Sequence, residues 1–285
     1  YFKFERESEG QCATNWWPHD QFGHNQEGNT VLTELMDGVK NTFSNPKPPR
    51  LLKNLMSISN CKPGDIVLDF FLGSASTFHG ALDYDNSLKF IGIQIPEELS
   101  ESTKEHLPAI EFCRKNKLKG TIAEIAKERM RRVGQSILNQ HAGSKNAPDI
   151  GFRVLKIDSS NMADVYYRPD AIEQGQLKIF TDNIKPDRKP EDLLFQVLLD
   201  WGVDLSLPIR KETIQGKTVF FVNEPPYDLV ASFDTGVNED LVKELARFEP
   251  LRVVFRDTGF VSDAVKINVE QIFKQLSPGT EVKSI

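Results

Sequence analysis

Cysteine is scarce in this 285-residue chain: Cys12, Cys61 and Cys113 are far apart, odd in number and form no C-x-x-C. That excludes a disulfide framework and a cysteine-based structural zinc, and it suits a reducing, cytoplasmic compartment. No apolar run is long enough to cross a bilayer, so no membrane partner is expected. A positive charge excess is also missing. The formal net charge is -6, so any contact with nucleic acid needs a local basic patch. There is no signal peptide, P-loop, helicase motif, Ser/His/Asp triad, internal repeat or low-complexity tract. His19 and His24 lack further ligands at metal-binding spacing, so a polar loop pair is favoured and no metal is expected.

What is present is globular: 39% hydrophobic and 27% charged residues, over a length that allows one large domain or two ordinary ones. The chain opens on the strand-like "YFKFERESEG" without a methionine, and we read it as a piece of a longer protein. Residues 1–44 read as a loop-rich segment. It holds the aromatic loop "ATNWWPHDQFGHNQEG" and a short helix over "NTVLTELMDG", capped by Asn29 or Thr30 and stopped at Gly38. Trp16 and Trp17 either pack as core or face DNA, and core is favoured.

Residues 45–96 form the most regular stretch. "SNPKPPR" is a stiff loop, and Pro49 suits the first turn of helix "RLLKNLMSIS". Turn "KPGD" leads into strand "IVLDFF", helix "TFHGALDY" and strand "KFIGIQI", a βαβ unit with the unbroken apolar strands of a parallel sheet. Residues 97–150 read as a helical insert, with Ile122, Ile125, Ala126, Val133 and Ile137 at helical spacing. Residues 151–285 read as a smaller α/β module. It starts with strand "FRVLKI" and the irregular "DSSNMADVYYRPDAIEQG". Helix "PEDLLFQVLLDWG" follows, then strands "TVFFVN", "DLVASFD", "LRVVFRD" and "EVKSI" with helices "NEDLVKELARF" and "VSDAVKINVEQIFKQL".

The chemistry concentrates in "DFFLGSAST", residues 69–77. Gly73 lets a backbone approach a ligand, and a helix N-terminus follows it. Asp69 stands at the carboxyl end of its strand, where ligands of open α/β sheets bind. A carboxylate there suits an ammonium better than a phosphate. The dinucleotide fingerprint G-x-G-x-x-G fails, because Ala75 occupies the second glycine position. The plain alternative is a tight strand–helix turn of any α/β protein.

"NPKPPRLLKNLM", "CKPGDIVLDFFLGSAST" and "LKFIGIQI" together resemble motifs X, I and II of amino-group DNA methyltransferases. The resemblance implies a partial Rossmann-like lobe that binds S-adenosylmethionine. Lys47 and Pro48 would line the methionine side, and Asp69 would bind the ammonium. Phe71, Gly73 and Ser74 would frame the pocket, Thr77 would follow at the helix start, and Gln94 would reach the ribose. The departures are Ala75 for glycine and Ser76 for threonine. If position 75 needs a positive φ, alanine costs about 1 kcal/mol or more.

With "ATNWWPHDQFGHNQEG", "FRVLKIDSSN" and the final "RVVFRDTGFVSDAVKINVEQIFKQLSPGTEVKSI", the whole resembles the Mod subunits of type III restriction-modification enzymes. These are adenine-N6 methyltransferases in which the catalytic D-P-P-Y and the target-recognition domain precede motif X. The resemblance implies DNA and a restriction (Res) subunit as partners, a Mod homodimer in the full-length protein, and a chain inactive alone because no catalytic residue lies in it. Two rivals stay open. The module from about 151 is an assembly surface for a Mod dimer or the restriction subunit. Or the chain is a different methyltransferase that uses Glu224 and Tyr227 of "NEPPYD". There Glu is a methylene too long for the usual acceptor, and a β-turn between strands is favoured.

One basic island stands out: Arg114, Lys115, Lys117, Lys119, Lys127, Arg129, Arg131 and Arg132. It is a solvated helix face or a phosphate-contacting one, with Arg129, Arg131 and Arg132 as the DNA-binding candidates.

Overall fold

Prolines 46, 48 and 49 set the geometry around which the N-terminal half is built. In the computed structural model, which describes residues 14–142, 148–163 and 183–285, Pro48 is extended (φ -67°, ψ 133°) and Pro49 opens a helix. The chain divides into two units, residues 1–155 and 156–285. The strand-like "YFKFERESEG" and the irregular "DVYYRPDAIEQG" lie outside the described residues.

The first unit runs α1 (His19–Phe22), α2 (Asn25–Leu35), α3 (Pro49–Ile58), β1 (Ile66–Asp69), α4 (Ser76–Tyr84), β2 (Lys89–Gly92), α5 (Leu107–Lys115) and α6 (Ile122–Gln140). Strands β1 and β2 pair in parallel, Ile66 beside Lys89 through Asp69 beside Gly92, with α4 as their crossover. Helix α2 starts four residues before its expected first cap. His24 is the cap in its place, its Nδ1 accepting the Glu27 N–H at 3.1 Å, which is a local structural task rather than a metal ligand's. Trp17 stacks on Phe22 with centroids 4.8 Å apart, whereas Trp16 is 78% exposed and not core.

Glycine permits two close approaches. A Cβ on Gly28 of α2 would lie 2.1 Å from the Pro46 carbonyl oxygen, and one on Gly80 of α4 would lie 2.5 Å from Leu52 Cβ. The first contact seats the proline loop against α2, and the second seats α3 against α4 of the βαβ unit. We expect Gly28→Val to destabilise the first unit by about 3 kcal/mol, read as a lower urea midpoint, because backbone must move to admit the side chain. An unchanged midpoint would show that the loop yields freely.

Two cores fill the unit. Leu32, Met36, Ala109, Phe112, Cys113 and Ile125 make one, and Leu72, Ala75, Phe78, Ala126 and Met130 the other. Helix α6 contributes to both, so the helical insert is packed into the βαβ unit by its apolar stripe.

The second unit comprises α7 (Pro190–Asp200), β3 (Ile209–Ile214), β4 (Lys217–Val222), β5 (Leu229–Ser232), α8 (Glu239–Ala246), β6 (Arg252–Phe255), α9 (Asp263–Leu276) and β7 (Glu281–Ser284). Its sheet order is β3-β4-β5-β6-β7, antiparallel as far as β5 and parallel from β5 to β7. Leu241, Leu245, Val269 and Phe273 of α8 and α9 cover one face, while Leu193, Leu194, Val197 and Leu198 of α7 cover the other. The expected strand "FRVLKI" is not formed; residues 152–157 have no ladder partner among the described residues and run mostly exposed. Strand β3 is the element not anticipated. Its charged centre hides it, although Gln215 (φ 50°) and Gly216 (φ 75°) form the two-residue turn that makes a hairpin with β4.

Candidate cofactor site

At the carboxyl end of β1, Asp69 organises the turn that follows it. Its Oδ1 accepts the Phe71 N–H at 3.0 Å and its Oδ2 accepts the Thr77 hydroxyl at 2.5 Å, so the start of α4 is tied to the end of β1. A carboxylate has about four lone-pair sites, so acceptor capacity is left for a cation. Gly73 has a left-handed φ of 54°, and its N–H donates to Gln94 Oε1 at 2.6 Å. The Ile93 N–H donates to the Asp69 carbonyl at 2.8 Å and the Leu72 N–H to the Ile93 carbonyl at 3.1 Å. Asp69, Phe71, Gly73, Thr77 and Gln94 thus form one hydrogen-bonded cluster at the carboxyl ends of a parallel strand pair. Gln94 has work inside the protein, since its Nε2 also donates to the Ile95 carbonyl, but each end keeps one further hydrogen-bonding position.

The remaining expected residues are placed differently. Phe71 is 81% exposed beside Phe70, their centroids 5.0 Å apart, and presents an apolar ring at the strand end. Pro48 is buried and Lys47 exposed. Their segment reaches the turn through Phe43, whose ring would lie 3.1 Å from a Cβ on Gly73. Ser74 is buried and points behind the turn, where Arg129 donates to its hydroxyl, so its side chain does not line a pocket. Ala75 is left-handed (φ 60°, ψ 36°) and precedes α4, the conformation that an L-residue adopts only at a cost.

Arg129 is a correction to the basic-face reading. It is fully buried and cannot meet a phosphate. Arg132 is engaged with Glu128, Asp37 (2.7 Å), the Leu35 carbonyl and Asn116, and Arg131 pairs with Glu128 at 3.2 Å. Arg114 pairs with Glu101 and Lys127 with Glu124. Of the acids that neutralise this island, Glu124 and Glu128 lie on neighbouring turns of α6, while Asp37 and Glu101 come from other segments. Lys115, Lys117 and Lys119 are exposed, as are the ion-paired Arg114 and Arg131.

Around Glu224 and Tyr227 the chain forms the turn that the sequence favours, and the rival catalytic placement is not formed. Tyr227 is 7% exposed, packs 5.0 Å from Phe221, and accepts a bond from Arg210 Nη2 at 2.9 Å. It belongs to a core and offers no face for a base. The segment is the β4–β5 turn, closed by Asn223 Nδ2 on Asp228 at 2.6 Å. It leads into the amino end of β5, the end opposite to where ligands of parallel strands bind.

Sequence reasoning missed His79. Its Nδ1 lies 3.3 Å from Arg129 Nη2 and its Nε2 3.5 Å from Asp83 Oδ2. Burial first, and then the Arg129 charge, push its pKa down to about 3, so the ring is neutral and the Asp83 contact is not an ion pair. The unfolded imidazole keeps its ordinary value of about 6.5. Between those limits the unfolded chain binds the extra proton. Stability from this group is therefore complete above about pH 6.5 and drains as pH falls towards 3, by up to about 1.4 kcal/mol per pH unit. Asp83, its carboxyl raised by burial, titrates in the opposite sense. We expect His79→Asn to flatten the acid limb of the unfolding free energy between pH 6 and 4, measured by urea titration. A limb of unchanged slope would remove His79 as its cause.

Comparison with known proteins bears on this geometry. Residues 3–105 match the model of a family described as DNA methylase, of the N6/N4 methyltransferase class. The Mod subunit of the type III restriction-modification enzyme StyLTI from Salmonella typhimurium is 30% identical over 192 residues, which is 63% of this chain and 27% of that subunit. The Mod subunit of the type III restriction-modification enzyme EcoP15I from Escherichia coli is 26% identical over 235 residues, 81% of this chain and 33% of that subunit. The match therefore spans about a quarter to a third of the length of these relatives. Among the described residues no helix is long and apolar enough to cross a membrane. The Asp69–Gly73 turn lies inside the segment that is similar to N6/N4-class DNA methylases, and the chain as a whole is similar to part of the Mod subunits of type III restriction-modification enzymes.

Proposed function

We propose that this chain supplies the S-adenosylmethionine-binding lobe of a site-specific DNA methyltransferase acting on adenine N6 in a type III system. The observation that carries the reading is the Asp69–Thr77–Gly73–Gln94 cluster at the carboxyl ends of β1 and β2. The donor set fits the cofactor. Asp69 would take the ammonium, the exposed Phe71 ring would meet an apolar edge, Gln94 would reach the ribose hydroxyls, and the Lys47–Pro48 loop would close the methionine side. When bound, the cofactor supplies an electrophilic methyl group on sulfur. The chain's own residues orient and hold it and move no proton.

The base-binding loop is, on this reading, contributed from outside the chain. No D-P-P-Y occurs in the sequence, and Glu224–Tyr227 is the turn that ends in a buried tyrosine. The β1–β2 pair supports the same view. Ile66, Leu68, Phe70, Ile91, Ile93 and Ile95 are 49–75% exposed on one face of it. Parallel sheets are normally covered on both faces, and two strands alone are marginal, so a further part of the methylase domain would pair with and cover them. DNA, a restriction subunit and a Mod homodimer are the partners of this reading. The second unit would serve assembly, for which Val261 and Ile267, 56% and 72% exposed beside "RDTGFVSD", are the favoured residues.

Titration of the chain with S-adenosylhomocysteine, followed by calorimetry or amide resonances, tests the proposal. Saturable but weak binding is expected, because part of the pocket wall lies elsewhere. A non-binding, folded chain would refute it. Sequence-independent DNA affinity of the full enzyme is expected to involve Lys115, Lys117 and Lys119. Changing them together to Glu should lower the salt slope by about one counterion for each phosphate that is no longer neutralised. An unaltered slope would mark them as solvent-facing only.

A further inference from the structure

The buried guanidinium behind the cofactor turn has no part in the proposal above and no fully satisfying surroundings. Arg129 comes from α6, more than fifty residues beyond the turn, and is 0% exposed. Its Nη1 donates to the Ser74 carbonyl (3.2 Å), Ser74 Oγ (3.1 Å) and Ser76 Oγ (2.8 Å). Its Nη2 faces His79 Nδ1, and its Nε has no partner among the described residues. Burial lowers its pKa only to about 10, so it stays charged at neutral pH. Asp83 lies beyond His79 and compensates the charge only at a distance. Burying a charge with so little compensation is costly.

What the guanidinium does hold is a strained peptide. Its Nη1 bonds flank Ala75, taking the carbonyl before it and the hydroxyl after it, and Ala75 is the non-glycine residue in the left-handed region between Gly73 and α4. We propose that Arg129 is a positioning residue for the cofactor turn: it pins Ala75 left-handed and thereby keeps the Gly73 amide on Gln94 and the start of α4 on Asp69, which sets the shape of the turn that meets the ligand. This rests on the reading of residues 69–77 as the cofactor site. Arg129 does not touch the cofactor. Its effect passes through Ser74 and Ser76 to the backbone. Where glycine stands at position 75 the turn forms without help. With alanine it needs the clamp.

The test is a pair of substitutions read by the Gly73 amide resonance of the isotopically labelled chain. Arg129→Met leaves the Ser74 carbonyl and the two serine hydroxyls without this donor, so a lower thermal midpoint with the fold retained is expected. The substitution should shift the Gly73 resonance in the free protein and weaken S-adenosylhomocysteine binding about tenfold, the size of one residue's left-handed penalty. Adding Ala75→Gly should return both the resonance and the affinity, which no general core defect would allow. If Arg129→Met does not fold, Ser74→Ala with Ser76→Ala removes the same hydroxyl acceptors and takes the same two readouts. Wild-type affinity in the folded variant, or a weakening that Ala75→Gly does not repair, overturns the role of Arg129 alone. Absence of binding by the wild-type chain overturns the cofactor site and this inference with it.

Discussion

Asp69→Ala is expected to weaken S-adenosylhomocysteine binding at least about a hundredfold, to the point of no measurable saturation. Two effects add. The proposed pairing of a carboxylate with the ligand's ammonium is a charge-assisted bond, a class that contributes about 1.5–3 kcal/mol, or one to two orders of magnitude in affinity. The same carboxylate fixes the turn, through the Phe71 amide and the Thr77 hydroxyl. Asp69→Asn separates them. It keeps an acceptor for the Phe71 amide and removes the charge, so a drop of about tenfold is expected from it. Gly73→Val attacks shape alone, since its φ of 54° resists a branched side chain and a Cβ would press on the Phe43 ring at 3.1 Å. Binding that survives Asp69→Ala unchanged would move the ammonium site elsewhere, whatever the other variants do.

The βαβ unit was legible because each of its signals is local. Proline at a helix start, an apolar strand, a glycine turn and a second apolar strand all lie within one stretch of chain. The polar cluster at Asp69 was half legible. Its residue types pointed to an ammonium site, but the Thr77 and Gln94 bonds belong to tertiary structure. Arg129 carries two conflicting signals. By composition it belongs to a basic run. By spacing it follows Ile125 and Ala126 and precedes Val133, on the stripe that α6 buries. The helical period gives the correct placement, and charge alone gives the wrong one. Strand β3 was hidden in the same way by its "RKET" centre, and the Gln215–Gly216 turn behind it was not read as a hairpin. Gly28 and Phe43 left no local signal, because what makes them matter is the chain folded against them.

The second large effect concerns catalysis. This chain alone is expected not to methylate DNA, and methyl transfer is expected once the part of the methylase domain bearing D-P-P-Y is supplied. The amino nitrogen of adenine has its lone pair delocalised into the ring. It attacks a methyl group only when acceptors hold its hydrogens and turn the lone pair outward, with the extruded base stacked on an aromatic. Glu224 and Tyr227 resemble that apparatus in sequence only. The tyrosine ring lies between Phe221 and Phe248, with its hydroxyl bonded to Arg210. Tyr227→Ala should therefore cost about 3–5 kcal/mol of stability in the second unit, as truncation of a buried aromatic does, and should leave no chemistry to lose. Complementation also tests the bare β1–β2 face. Leu68→Asp with Ile93→Asp places carboxylates on residues 56% and 50% exposed, so the lone chain should tolerate them. In the joined enzyme they would be buried beneath the added part, so transfer should fall to background. A radiolabelled methyl-transfer assay on the chain, the complemented pair and the doubly substituted pair decides between these readings. Transfer by the chain alone that vanishes with Tyr227→Ala would make residues 224–227 the catalytic loop and overturn the assignment of the missing acceptors to another segment.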